Sequence, residues 1–246
     1  QNSSTGNTNV AVGWRSLRAG TASTQNTALG VGSMETDTAG LGNVSVGRSA
    51  MFNHKKGNYN VAVGYQALVN GDSTALNTAV GVNAAYHNER NSITAIGDEA
   101  LFNNSLSSTD LTQGVRNTAL GHQAGYHIRW GSRNTAIGDR AMFGTAVNNG
   151  NNIRNVAIGD SALANHVGGY GNTAVGSVAL ANSGTGHSNV AMGDSAMAFT
   201  TNSSQNVAIG SHTLSNYSAA GNIVAVGFRA LDSLTTGTRA TAVGYR

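Results

Sequence analysis

The chain has 246 residues, 39% of them apolar and 10% charged, with a net charge of +3, no cysteine, no proline, 33 glycines and 30 asparagines. Lack of cysteine excludes a disulfide framework, a thiolate metal site and a cysteine nucleophile, and lack of proline and of a strict Gly-X-Y period excludes collagen. The only lysines are the adjacent Lys55 and Lys56, so the pI near 9.5 reflects a small imbalance in a charge-poor chain and no nucleic-acid partner is expected.

A repeat fills the chain. The pentad Asn-(Val/Thr)-Ala-(Val/Ile/Leu/Met)-Gly stands at residues 9–13, 26–30, 60–64 and 77–81, and 43–47 is a copy with Ser45 in place of alanine. Its glycine recurs at 97, 121, 138, 159, 176, 193, 210, 227 and 244, which makes fourteen copies. Successive glycines are 17 residues apart in ten intervals; the others are 16 (Gly81 to Gly97), 24 (Gly97 to Gly121) and 21 (Gly138 to Gly159). Bulky residues at alternate pentad positions, such as Val156 and Ile158 around Ala157, have the period of a strand. Each glycine is followed by a second signature ending in a small and then a large apolar residue, as in Tyr65-Gln66-Ala67-Leu68 and Ser177-Val178-Ala179-Leu180. The rest, rich in Asn, Gly, Ser and Thr, is turn chemistry.

Each repeat is thus one coil: strand, turn, short strand or extended segment, turn. Such a coil cannot bury its apolar face alone, whereas stacking sets strand on strand. The expected fold is all-β, a parallel β-roll (β-solenoid) of about fourteen 17-residue coils, as one domain over residues 1–246. At about 4.8 Å per stacked strand the coils make a rod on the order of 65 Å long.

Both faces of the pentad are uncharged, the bulky positions on one side and Ala and Gly on the other. The simplest arrangement points the bulky side into the coil and lays the alanine side against a neighbour; the reverse stays open. A thin roll has reason to oligomerise either way.

The period breaks near 104–116 and 144–154, and insertions in solenoids emerge as loops, often on the binding face. The coil between them holds Gly125-Tyr126-His127-Ile128-Arg129-Trp130, a concentration of aromatic and basic groups that stands out from the other repeats. Tyr126, His127, Arg129 and Trp130 are the candidate ligand-binding residues, since flat apolar faces with polar handles and a guanidinium fork suit sugar rings or acidic glycans. The plainer reading is that they cover the roll beneath the loops or pack against a neighbouring chain.

Other candidates are weaker. Asp98, Asp139, Asp160 and Asp194 each follow a pentad glycine, and Asp139 and Asp160 lie on neighbouring coils. Paired carboxylates suit sugar hydrolysis, but a turn aspartate bonded to its own backbone, with Arg140 as counter-charge, explains them more simply. Seven scattered histidines form no H-x-H or H-x-x-x-H pair, no Gly/Asp-rich calcium nonapeptide occurs and there is no phosphate-binding loop, so no metal, cofactor or catalytic residue is expected. Trp14, Tyr65, Phe228 and Tyr245 read as rim aromatics. No stretch approaches the roughly 18 apolar residues of a membrane span, so no membrane insertion by this segment is expected.

NVAIG-DSAL (155–163), NTAVG-SVAL (172–180) and NVAVG-YQAL (60–68) resemble the repeats of trimeric autotransporter adhesin heads (YadA-like) and those of phage tail-fibre proteins, over the whole chain. The resemblance implies a left-handed roll, a side-by-side homotrimer and an extracellular place on a virion tail fibre or a bacterial surface. The implied function is a structural and adhesive fibre segment, not an enzyme, that presents a surface to a host glycan or protein receptor. The alternatives are a tailspike-like glycan-degrading enzyme and a purely structural spacer. The 17-residue spacing is longer than that of the usual adhesin head repeat.

Overall fold

The computed structural model describes residues 7–104, 110, 112–144, 152–218 and 221–245, and their regular structure is all β. Two compact units are present, Gln1–Gln123 and Ala124–Arg246. The first carries β1 (Val10–Val12), β2 (Thr27–Leu29), β3 (Val44–Val46), β4 (Val61–Val63), β5 (Thr78–Val80), β6 (Thr94–Ile96) and β7 (Thr118–Leu120). The second carries β8 (Thr135–Ile137), β9 (Val156–Ile158), β10 (Thr173–Val175), β11 (Val190–Met192), β12 (Val207–Ile209), β13 (Val224–Val226) and β14 (Thr241–Val243). Within each unit every strand pairs in parallel with the next and like residue meets like residue, as Ala62 meets Ala79 and Ala157 meets Ala174. Each unit is therefore a parallel β-solenoid. Of the predicted insertions, residues 105–109 and 111 of the first and 145–151 of the second lie outside the described residues.

The two faces of the strand are assigned the reverse way from the simplest expectation. The pentad alanines are fully buried inside the coil, apart from the half-buried Ala11 and Ala242 of the first and last strands, and the bulky residues on either side of them look outward. The second signature explains why: its large residue, Met51, Leu68 and Leu101 in one unit and Met142, Leu163 and Leu180 in the other, is fully buried in the same interior. Those side chains fill the narrow coil, and only a methyl group is accommodated on the strand opposite.

The second signature is a pair of tight turns and not a short strand. Residues two and four after the pentad glycine have positive φ, 54° at Gln66 and 52° at Leu68. A left-handed conformation costs an L-residue roughly 1–2 kcal/mol. Hydrogen bonds between coils hold it: the Gln66 N–H donates back to the Arg48 carbonyl (3.0 Å) and the Leu68 N–H forward to the Ala84 carbonyl (2.9 Å). The third side of the coil is closed by isolated parallel bridges, such as Thr24 to Leu41 to Asn58 to Ala75.

The ends of the pentad have separate tasks. At its start, asparagines stack as a buried ladder: the Asn172 N–H donates to Asn155 Oδ1 (2.9 Å), and Asn155 Nδ2 donates to the Gly169 carbonyl (2.9 Å), so one side chain joins two coils and its own turn. Ile93 and Ile223 occupy this position in two coils, buried, and their N–H groups still donate to the preceding asparagine, Asn77 and Asn206. At its end, the chain passes so close to the next coil that a Cβ on Gly159 would lie 2.6 Å from the Gly176 carbonyl oxygen, at a φ of +128°. Neither feature is turn chemistry of the ordinary kind; both are contacts between coils.

Candidate functional site

Tyr126 and His127 lie five and six residues after Gly121, where the chain leaves its second tight turn, and the rings come together there. Tyr126 stacks on Phe143 of the next coil (centroids 5.2 Å apart, planes 13° apart), and His127 meets Tyr126 edge-on at 4.6 Å and Phe143 at 5.4 Å. The His127 N–H donates to the Phe143 carbonyl (2.9 Å), which fixes the coils in this alignment. The Arg140 guanidinium lies 4.6 Å from the Phe143 ring centre, a cation–π contact. Ile128 is fully buried in the interior and separates this group from Arg129 and Trp130. Tyr126, His127, Arg129 and Trp130 are all half-buried, and Trp130 makes no ring contact with the others among the described residues. The Trp130 indole N–H is shielded from solvent and meets no acceptor among the described residues.

The ring group of this cluster recurs in the first unit, while the Arg129 and Trp130 positions are taken there by Glu89 and Arg90. In the first unit Tyr86 stacks on Phe102 (5.2 Å, 11°), and His87 meets Tyr86 edge-on at 4.6 Å and Phe102 at 5.5 Å. Tyr86 and Tyr126 both stand five residues after a pentad glycine, Phe102 and Phe143 likewise one coil later, and in both cases a predicted insertion follows. The signal was present in the sequence, visible when repeats are aligned on their glycines and hidden when a segment is judged by composition alone.

The two copies differ in their polar surroundings. His87 Nδ1 accepts from Asn70 Nδ2 (3.2 Å), and Asn70 Oδ1 accepts from Asn53 Nδ2 (3.0 Å), so His87 ends an amide ladder. Partial burial holds His87 below the ordinary histidine range, opposed by the nearby Glu89 carboxylate. The same burial lowers His127, and there the Arg129 charge adds to the effect. Both imidazoles are thus neutral near pH 7, and the clusters offer aromatic faces and neutral ring nitrogens.

Asp139 and Asp160 are exposed at equivalent positions of neighbouring coils, and the Ser161 N–H donates to the Asp139 backbone carbonyl (2.9 Å). Asp98 and Asp194 have histidine partners, His122 at 4.0 Å and His212 at 3.8 Å. Among the described residues no group of three or more His, Asp or Glu is placed to hold a metal ion. Trp14, Tyr65, Phe228 and Tyr245 are exposed rim aromatics; Phe228 stacks on Tyr245 (5.6 Å) and Arg15 covers Trp14 (4.3 Å). Comparison with protein families and with curated proteins returns no match to this chain.

Proposed function

We propose that this chain is a structural and adhesive segment of an extracellular fibre, on a virion tail or a bacterial surface, in which three copies pack side by side through the outward faces of their strands. The observation that carries this reading is the outward apolar ladder. Leu29, Val44, Val63, Ile96 and Leu120 in one unit and Ile158, Met192, Ile209 and Val224 in the other are each 36% to 46% exposed. Monomeric proteins rarely leave a contiguous apolar patch larger than a few hundred Å² open to water. A second copy of the chain suits the ladder because it carries the same side chains at the same coil spacing, in step along the axis. Three such contacts close a ring, and the left-handed sense of the roll follows the resemblance to adhesin heads.

In this assembly the Tyr126, His127, Arg129 and Trp130 surface meets a host glycan or protein. Three copies of a weak site on one particle gain avidity without strong individual contacts. The hydrolase reading draws less support, since Asp139 and Asp160 lie exposed.

Light scattering before and after strong dilution tests the assembly. The expected mass is three times the 25.0 kDa of one chain at both concentrations. A stable monomer overturns the fibre reading. Binding to host surfaces should fall in Trp130→Ala; binding that survives both this change and removal of the two insertions rejects the recognition surface.

A further inference from the structure

A cleft of about 570 Å³ opens in the first unit, lined by three successive coils and by Val115 at the base of the first insertion. The volume lies in the range of about 300–1,000 Å³ occupied by small-ligand sites. Its lining residues follow the pentad glycines by six residues or more, so they stand clear of the outward strand face and an assembly through that face leaves them accessible.

The wall is held in place before any ligand arrives. Arg90, 7% exposed, donates from Nε to the Gln113 carbonyl (3.0 Å), from Nη2 to that of Asp110 (3.2 Å) and from Nη1 to that of Glu89 (2.8 Å). One guanidinium thereby ties the base of the insertion to the coil beneath. Asn91 is fixed too, because its Oδ1 accepts the Ala75 N–H (2.8 Å), which leaves its amide NH₂ to donate elsewhere. Asn53 and Asn70 belong to the amide ladder that ends on His87.

The charges balance. Lys55 pairs with Asp72 at 3.6 Å, and the buried Arg90 charge is offset by the opposite charge of the exposed Glu89 at the lip. A cleft with fixed amides, two carboxylates balanced by two cations and no net charge, in a chain with only 10% charged residues, gives neither an anion nor a cation much net attraction. It offers adjacent acceptors and donors to a ligand made of adjacent hydroxyl groups: a carboxylate accepts from a vicinal diol, and amide NH₂ groups donate to hydroxyl and ring oxygens.

We propose that this cleft is a second ligand site and that it binds an uncharged oligosaccharide, with Glu89 and Asp72 accepting from hydroxyl groups and Asn91 donating to them. The proposal is independent of the trimer and of the Trp130 surface.

The test is saturation-transfer NMR and array binding with neutral glucose-, galactose- and mannose-based oligosaccharides beside sialylated and sulfated counterparts. The intact chain is compared with Glu89→Gln, Asn91→Ala and Trp130→Ala, with melting temperature as the folding control. A neutral oligosaccharide is expected to bind, Glu89→Gln to weaken it about tenfold or more because a charge-assisted hydrogen bond is lost, and Trp130→Ala to leave it unchanged. Resonances of the Asn70 and Asn91 amides are expected to shift on titration. Failure of every neutral oligosaccharide to bind, binding of the anionic ones alone, or binding indifferent to Glu89→Gln and Asn91→Ala overturns the proposal. Loss in Trp130→Ala alone assigns the sugar to the other surface, and a monomeric mass rejects the fibre while leaving the cleft standing.

Discussion

The strand β9 has two faces one residue apart, and they live in different environments. Ala157 is fully buried, stacked between Ala136 and Ala174, while Ile158 beside it is 37% exposed. Ordinary half-buried strands bury the larger side chain and expose the smaller or more polar one. Here the size order is inverted because the large inner residues come from the turns, Met142, Leu163 and Leu180, and the strand needs only to close the coil over them. The inner face is thus complete within one chain, whereas the outer face has the composition of a core without a partner. On the proposed reading one is settled by folding and the other by assembly, and substitutions on the two faces ought to separate these processes.

The largest effect is expected from Ala157→Leu. The added atoms have no space between a fully buried alanine on the next strand and the buried leucines opposite, and overpacking a tight interior costs about 3 kcal/mol at its upper range. Chemical denaturation should show this loss in the monomer, and circular dichroism should show reduced β content near ambient temperature.

Asn155→Ala comes next. It removes the acceptor of the Asn172 N–H and the donor to the Gly169 carbonyl, both in the buried ladder. Each buried group left without a partner costs about 1–3 kcal/mol, so about 2–3 kcal/mol in the same denaturation experiment is expected. An aspartate at this position should recover only part of the loss, because it keeps the acceptor for the Asn172 N–H and removes the Nδ2 donor to the Gly169 carbonyl, which then has only His166 Nε2 beside it (2.9 Å).

These two residues also mark how far the sequence could be read. The period, the parallel stacking and the strand in each pentad were all legible, because a fixed 17-residue spacing admits few other arrangements. The direction of the strand faces was not, since valine and alanine are both apolar and burial depends on how much room the turns leave. Asn155 was recognisable as the first residue of its pentad, but its ladder is a relation between coils and shows only in three dimensions. Tyr126 and His127 were found from local composition, whereas Tyr86 and His87 needed alignment on the glycines. The cleft was beyond reach: Asn53, Asp72, Glu89 and Val115 are ordinary polar or apolar residues spread over several coils, and only stacking makes them neighbours.

A smaller, pH-dependent effect is expected from His54→Asn. Burial pushes His54 down to about 4 from an ordinary 6.5, with the Asp72 charge opposing. Between these values the unfolded chain holds a proton that the folded chain lacks, so His54 makes stability fall as pH drops from about 6.5 toward 4, by on the order of 2 kcal/mol at pH 5. Asp37, seven residues after its pentad glycine as His54 is after its own, acts with the opposite sign. Burial raises its pKa against hydrogen bonds from Ser23 and Gly40, so its contribution is full below the unfolded value of 3.8 and is lost as pH rises through the folded value. Asparagine already occupies this column at Asn88 and Asn104, buried in both. His54→Asn should therefore fold at pH 7 and show a flatter stability profile between pH 6.5 and 4; an unchanged slope would place the titration elsewhere.

The smallest effect on the single chain should come from Ile158→Lys, and it is the sharpest test of the two faces. The side chain points away from the coil and its neighbours along the outward ladder are Ile137 and Val175, so a lysine there keeps its stem on the apolar row and its ammonium in water. The monomer should lose no more than about 0.5 kcal/mol, as for other surface positions. In an assembly the same ammonium would be forced between apolar rows, and an uncompensated buried charge is not tolerated. The mass by light scattering should drop to that of one chain while the circular dichroism spectrum stays that of the intact protein. Unfolding together with dissociation would mean that the outer face belongs to the fold of the single coil, and the distinction between the faces would vanish.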